Sequence, residues 1–135
     1  MFTRTVFLIS LTIALLQSAE YAVVVKADSQ VNSISQNELC NLYLRRQNFI
    51  DNQKIIPINT LADNKGRIEF EQHVLQMQRR KLSKYWITQH FKGITPPSTV
   101  ASFDAALLFV NNVEGAIAYI PVNMVNKTVK VLYEY

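Results

Sequence analysis

Nothing in this chain limits its architecture as sharply as residues 21–26, YAVVVK, where five apolar positions follow one another without a polar break. A strand with one wet face alternates apolar and polar, whereas an uninterrupted apolar strand is covered on both faces, as in α/β sheets. The run is therefore expected to be a central, buried strand, with helices packed on each side of its sheet. It ends at Ala27, Asp28 and Ser29, a turn-prone cluster.

The segments that follow supply those helices. Ser35, Gln36, Asn37 and Glu38 form a capping box, and Leu39, Leu42 and Tyr43 then repeat at helical spacing, so a helix is predicted from Ser35 to the pair Arg45 and Arg46. Residues 49–53 read as a turn over Asp51 and Asn52. The stretch 54–59, KIIPIN, is a second strand, and Pro57 places it at an edge or terminal position. Asp63, Asn64 and Gly66 mark a turn, and Phe70, Val74 and Met77 predict an amphipathic helix over 67–77.

Arg79, Arg80 and Lys81 interrupt the apolar pattern and read as a solvated turn. Leu82, Tyr85, Trp86 and Phe91 then predict a third helix, ended by Gly93, with Trp86 and Tyr85 in the core. Pro96 and Pro97 force an extended crossing. Ser102 and Asp104 open a fourth, largely apolar helix, and two strands close the chain at 116–121 and, as an edge, 128–133. The order β-α-β-α-α-α-β-β predicts a single α/β domain of three layers, with a mixed sheet of about four strands.

The first residues carry a different signal. Arg4, an apolar run over 6–16 and the small-residue exit at Ser18 and Ala19 have the form of a secretory signal peptide, which assigns 1–19 to targeting and 20–135 to the domain. Its eleven positions, nine of them apolar, are too few to span a ~30 Å hydrocarbon core, so no membrane span is expected after cleavage. The remaining chain carries 13 basic and 10 acidic residues, a net +3. That mild excess suits a small anion or an acidic surface and lacks the dense basic face of a nucleic-acid binder.

Composition also narrows the chemistry. Of 135 residues, 49% are hydrophobic and 18% charged, enough for one core without metal or disulfide staples. Cys40 is the sole cysteine and reads as a small buried thiol on a helix. His73 and His90 have no further ligand at zinc spacing, and no G-x-S-x-G, H-E-x-x-H or phosphate-loop motif occurs. The reading is of a binding protein without a cofactor, not an enzyme.

Several segments in order resemble a known family. These are 33–44 followed by 54–59, Asp63-x-x-Gly66-Arg67-x-x-Phe70, the Tyr85 and Trp86 pair with Phe91-x-Gly93 and the two prolines, and Gly115-Ala116-Ile117-Ala118-Tyr119-Ile120. Together they resemble the substrate-binding subunit of phosphate ABC transporters, of the type 2 periplasmic binding protein fold. The resemblance covers nearly all of 21–133 and implies a single-lobe domain of that fold. It further implies a periplasmic protein that captures a small oxyanion, typically phosphate, and passes it to a membrane permease.

Such an anion is held by helix N-terminal amides, hydroxyls and an arginine fork. The resemblance maps these roles onto Asn64, Lys65, Gly66 and Arg67, with Ser33 and Ser35, beside Ser29, as hydroxyl donors from the other side. Arg67 also stands one turn from Glu71, with which it can pair. Where the family carries a Ser-Gly-Thr turn, this chain has Asn64, Lys65 and Gly66, and both hydroxyls are gone. The chain is also about half the length of a two-lobed binder. These departures define a second expectation, a single lobe that no longer binds solute and serves as a protein-interaction module of the cell envelope.

Overall fold

The computed structural model describes residues 18–135; the greater part of the expected signal peptide lies outside them. The chain folds as β1 (Tyr21–Lys26), α1 (Gln36–Tyr43), a hairpin of β2 (Phe49–Ile50) and β3 (Gln53–Lys54), β4 (Ile56–Thr60) and α2 (Lys65–Phe70). There follow α3 (Arg79–Phe91), β5 (Ser98–Val100), α4 (Phe103–Asn112), β6 (Ala116–Pro121) and β7 (Val129–Glu134). Five strands form one mixed sheet in the order β5-β4-β6-β1-β7. β4 runs parallel to β5 and β6, and β1 runs antiparallel to β6 and β7.

The uninterrupted apolarity of β1 has the predicted cause. Val23 and Val25 pack into a core with Leu39, Leu42 and Tyr43 of α1, Phe70 of α2 and Val74 beyond it. Ala22 and Val24 pack on the opposite face with Ala106 and Val110 of α4. β6 divides in the same way, Ile117 and Tyr119 to the first core and Ala116, Ala118 and Ile120 to the second. The sheet is thus the middle of three layers.

The cap of α1 forms as predicted, with the Ser35 hydroxyl accepting from the Glu38 amide at 3.1 Å. The reciprocal half differs: Ser35 Oγ donates to the Glu38 carboxylate at 3.2 Å. At the other end of α1 the Tyr43 hydroxyl reaches the carbonyls of Ile58 and Ile117 at 2.9 and 3.2 Å, pinning helix to sheet between two parallel strands.

Three expectations are corrected. The proline-bearing strand β4 lies inside the sheet, not at its edge. Pro57 is tolerated there because pairing with β5 begins one residue later, at Ile58 opposite Ser98. The amphipathic helix over 67–77 starts earlier, at Lys65, and after Phe70 continues as a π-helical turn, Glu71–Leu75, closed by Gln76 at φ 52.

The third correction concerns α3. The basic residues Arg79, Arg80 and Lys81 form its first turn, because the break in the pattern comes at Gln78, whose extended backbone caps the helix. Only Leu82 of α3 is buried. Trp86 is half-buried, edge-on to Tyr85 at 5.0 Å, and belongs to neither core. Tyr85 spends its hydroxyl on the Leu44 carbonyl at 2.6 Å, so α3 lies against the rim of the domain rather than over the sheet.

Candidate functional site

In open α/β sheets ligands bind beyond the carboxyl ends of the strands. The carboxyl end of β4 here carries Asn59 and Thr60, and the chain turns through Leu61 to Asn64 into α2. The Tyr119 hydroxyl organises this end: it accepts from the Thr60 amide at 3.0 Å, contacts the Thr60 hydroxyl at 3.2 Å and donates to Asn59 Oδ1 at 2.9 Å. Burial raises the Tyr119 phenol above its ordinary pKa, so it stays a neutral donor.

Next to that network sits a buried carboxylate between two arginines. Glu71, whose side chain is 5% exposed, accepts from Arg67 Nε at 3.1 Å and from Arg79 Nε at 2.7 Å. The same guanidinium groups hold the loop after β4: Arg67 Nη1 donates to the Thr60 carbonyl at 2.9 Å, and Arg79 Nη2 donates to the Ala62 carbonyl. Two cations against one anion leave the cluster with a net positive charge. The arrangement both fixes the loop geometrically and keeps an electropositive corner at the head of α2.

The sequence-predicted residues divide between two ends of the domain. Asn64 is the N-cap of α2, its side chain accepting from the Gly66 amide at 2.8 Å. That bond consumes one of the free amides at the helix start and leaves those of Lys65 and Arg67. Gly66 is buried because a Cβ there would come within 2.8 Å of the Phe103 ring and 3.0 Å of the Tyr21 ring. Lys65 extends into solvent and pairs loosely with Glu20 at 3.5 Å. Arg67 is where the sequence placed it, yet two of its three guanidinium nitrogens are already engaged within the protein.

Ser33 and Ser35 are not brought to this corner. β1 runs against β4 and β6, so the segment after β1 leaves the sheet at the end opposite the head of α2. Gln36, next to Ser35, donates to the carbonyls of His73 and Val74, the far end of the helical segment that starts at Lys65. At ~1.5 Å per residue the two groups are on the order of 12 Å apart along that segment. Ser29 instead lines a cavity of about 310 Å³ at the lower end of the sheet, with Lys26, Asp28, Gln53 and Glu114. A second cavity, about 440 Å³, lies beside the arginine pair and is lined by Ile68, Glu71, Met77 and Arg79 together with glutamine side chains.

Sequence reasoning missed Asn59, Thr60, Tyr119 and Arg79. The pairing of Arg67 with Glu71 was legible as a surface contact one turn along, but the structure buries that carboxylate and adds Arg79 to it. Cys40 is half-buried, donates its thiol to the Val74 carbonyl and is held protonated by burial. Among the described residues no three metal-ligating side chains come together.

The sequence matches no protein-family model and no curated protein. Among solved structures the chain is similar to an ABC-type phosphate transport receptor from Vibrio cholerae, at 20% identity and a TM-score of 0.66, over 84% of this chain and 45% of that one. It is similar to a putative phosphate ABC transporter substrate-binding protein with bound phosphate from Clostridium perfringens, at 13% identity and a TM-score of 0.68, over 84% and 44% of the two chains. It is also similar to PstS from Borrelia burgdorferi, at 11% identity and a TM-score of 0.61, over 84% and 46%. The chain therefore shares the fold of part of these phosphate receptors, a mixed five-stranded sheet with helices on both faces, as the resemblance implied. The chain spans less than half the length of the receptors it matches.

Proposed function

We propose that this chain is an exported, periplasmic solute-binding lobe that takes a small oxyanion, phosphate or a relative of it, at the head of α2, and that it serves ABC-type uptake without catalysing a reaction. The observation that carries the reading is the electropositive corner of Lys65, Arg67 and Arg79 at the carboxyl end of β4, on a fold shared with phosphate receptors. The amides of Lys65 and Arg67 and the remaining guanidinium nitrogen supply donors, and Asn64 shapes the turn that presents them. Ser33 and Ser35 stand too far away to belong to it.

The test is a thermal-shift titration of residues 18–135 with phosphate, sulfate and organic phosphates at matched ionic strength. An anion at 100 times its Kd stabilises by about 2.7 kcal/mol, on the order of 10 °C in Tm for a domain of this size. A selective rise that disappears in the Lys65→Gln, Arg67→Gln double variant is the expected result. Equal, flat curves for every anion overturn the reading.

A second reading, an envelope interaction module that has given up solute, draws support from two observations. The guanidinium groups of Arg67 and Arg79 are largely consumed by Glu71 and the loop carbonyls. The outer side of α3 leaves two large apolar side chains uncovered among its cations, Ile87 60% and Phe91 86% exposed.

A further inference from the structure

α3 has two sides of opposite purpose. At 100° per residue, Arg80, Lys84, Ile87 and Phe91 fall within an arc of about 60°, and Leu82, the helix's buried residue, lies on the other side. All four residues of the ridge are exposed. An aromatic ring that is 86% exposed and an isoleucine that is 60% exposed, on a helix anchored by its far face, are uncompensated by anything in the fold. They are also surrounded by one sign of charge. Between Glu71 and Asp104 the chain has no acidic residue, while it carries Arg79, Arg80, Lys81, Lys84 and Lys92. Arg79 pairs with Glu71, and among the described residues the other four enter no ion pair.

We propose that the Arg80, Lys84, Ile87, Phe91 ridge docks the domain on an anionic phospholipid surface. A second copy of the chain is a poor occupant, because pairing ridge on ridge brings two unneutralised cationic stripes together. The partner must be acidic. Among acidic partners the arrangement favours lipid: Ile87 and Phe91 stand exposed on one side of a helix between cationic side chains, and neither cavity described above includes them. A bilayer interface needs no groove. It takes an aromatic and a branched aliphatic side chain between headgroups while lysine and arginine stems lie along the apolar surface and keep their charges at the phosphates. A helix of 13 residues, about 20 Å long, lying in the plane of the surface presents the whole ridge at once. With two large apolar side chains the attachment is reversible. It is independent of the oxyanion site, which lies at the head of α2, and it holds the lobe at the membrane whether or not that site binds.

The proposal is tested by co-sedimentation of residues 18–135, which contain the whole sheet and both cores, with vesicles of phosphatidylcholine alone and of phosphatidylcholine with one-third phosphatidylglycerol. Binding to the anionic vesicles alone, weakened by salt, is expected. Arg80→Gln with Lys84→Gln is expected to lower partitioning about 25-fold, roughly fivefold per charge. Ile87→Ser with Phe91→Ser is expected to lower it tenfold or more by removing the inserting side chains. All four positions are exposed, so the fold is retained, and an unchanged thermal midpoint verifies this. Absence of sedimentation with anionic vesicles at 50 mM salt, or binding that neither pair of substitutions diminishes, overturns the assignment. Retention of an acidic protein through this ridge in place of vesicles overturns it as well.

Discussion

Tyr119 is the residue on which the candidate site turns. Its hydroxyl serves Thr60 and Asn59 together, and its ring stacks on Phe70 at 4.7 Å, so one side chain joins the sheet end to the helix that carries Lys65 and Arg67. Tyr119→Phe keeps the ring and strands the buried Thr60 amide without a partner, which is expected to cost about 1–3 kcal/mol. A lowered urea midpoint at unchanged m-value shows it; an unchanged midpoint means that water or Asn59 takes the place of the hydroxyl. The sequence gives no local sign of this role, because a tyrosine in an apolar strand reads as a packing residue until its partner strand is known. In the sequence Gly66 reads as part of the turn before the helix, whereas it lies inside α2, where the Phe103 and Tyr21 rings leave no room for a Cβ.

At the scale of elements, sequence pattern located whatever is stabilised locally or by one continuous apolar face. β1, α1, α4, β6 and β7 fall where periodicity and caps put them. What escaped was structure made by distant partners. β5 is three residues long, follows two prolines, and exists only because Ser98, Thr99 and Val100 pair with Ile58, Asn59 and Thr60. α3 misled in the opposite direction, since Trp86 at helical spacing reads as core, and only its placement at the rim leaves it half-exposed. The turns that join elements are testable through their glycines. Gly115 has φ +80, and a Cβ there would stand 2.0 Å from the Lys54 carbonyl oxygen, whereas Gly93 has φ +76 with open space around it. Gly93→Ala is expected to cost about 1–2 kcal/mol, the left-handed penalty alone. Gly115→Ala adds a backbone collision and is expected to cost about 3 kcal/mol or more, seen as a much lower Tm than that of the first variant.

Across the whole molecule, the first core gathers tyrosine hydroxyls about one aromatic centre. Tyr43, Tyr119 and Tyr135 all contact Phe70, and burial raises the pKa of all three phenols. A phenol whose folded pKa is raised contributes its full stability below its unfolded value of 10.0 and loses it as pH climbs above that value, because the unfolded chain releases the proton first. The domain is therefore expected to be stable to mild alkali and to unfold cooperatively above pH 10, with the buried tyrosinates appearing in the ultraviolet only as structure is lost. Gradual ionisation without unfolding would show that these hydroxyls are reached by water.

β1 is flanked by β6 and β7, and the amides of Glu20 and Tyr21 bond to the carbonyl of Tyr135 while the Tyr135 amide returns to Tyr21. The earliest strand of the sheet is therefore clasped by the latest. On a ribosome, β1 emerges more than ninety residues before its partners, and until they arrive it is an apolar ribbon with both edges open. The native sheet therefore cannot close before residues 116–135 have been made, and up to that point β1 has neither of its partner strands.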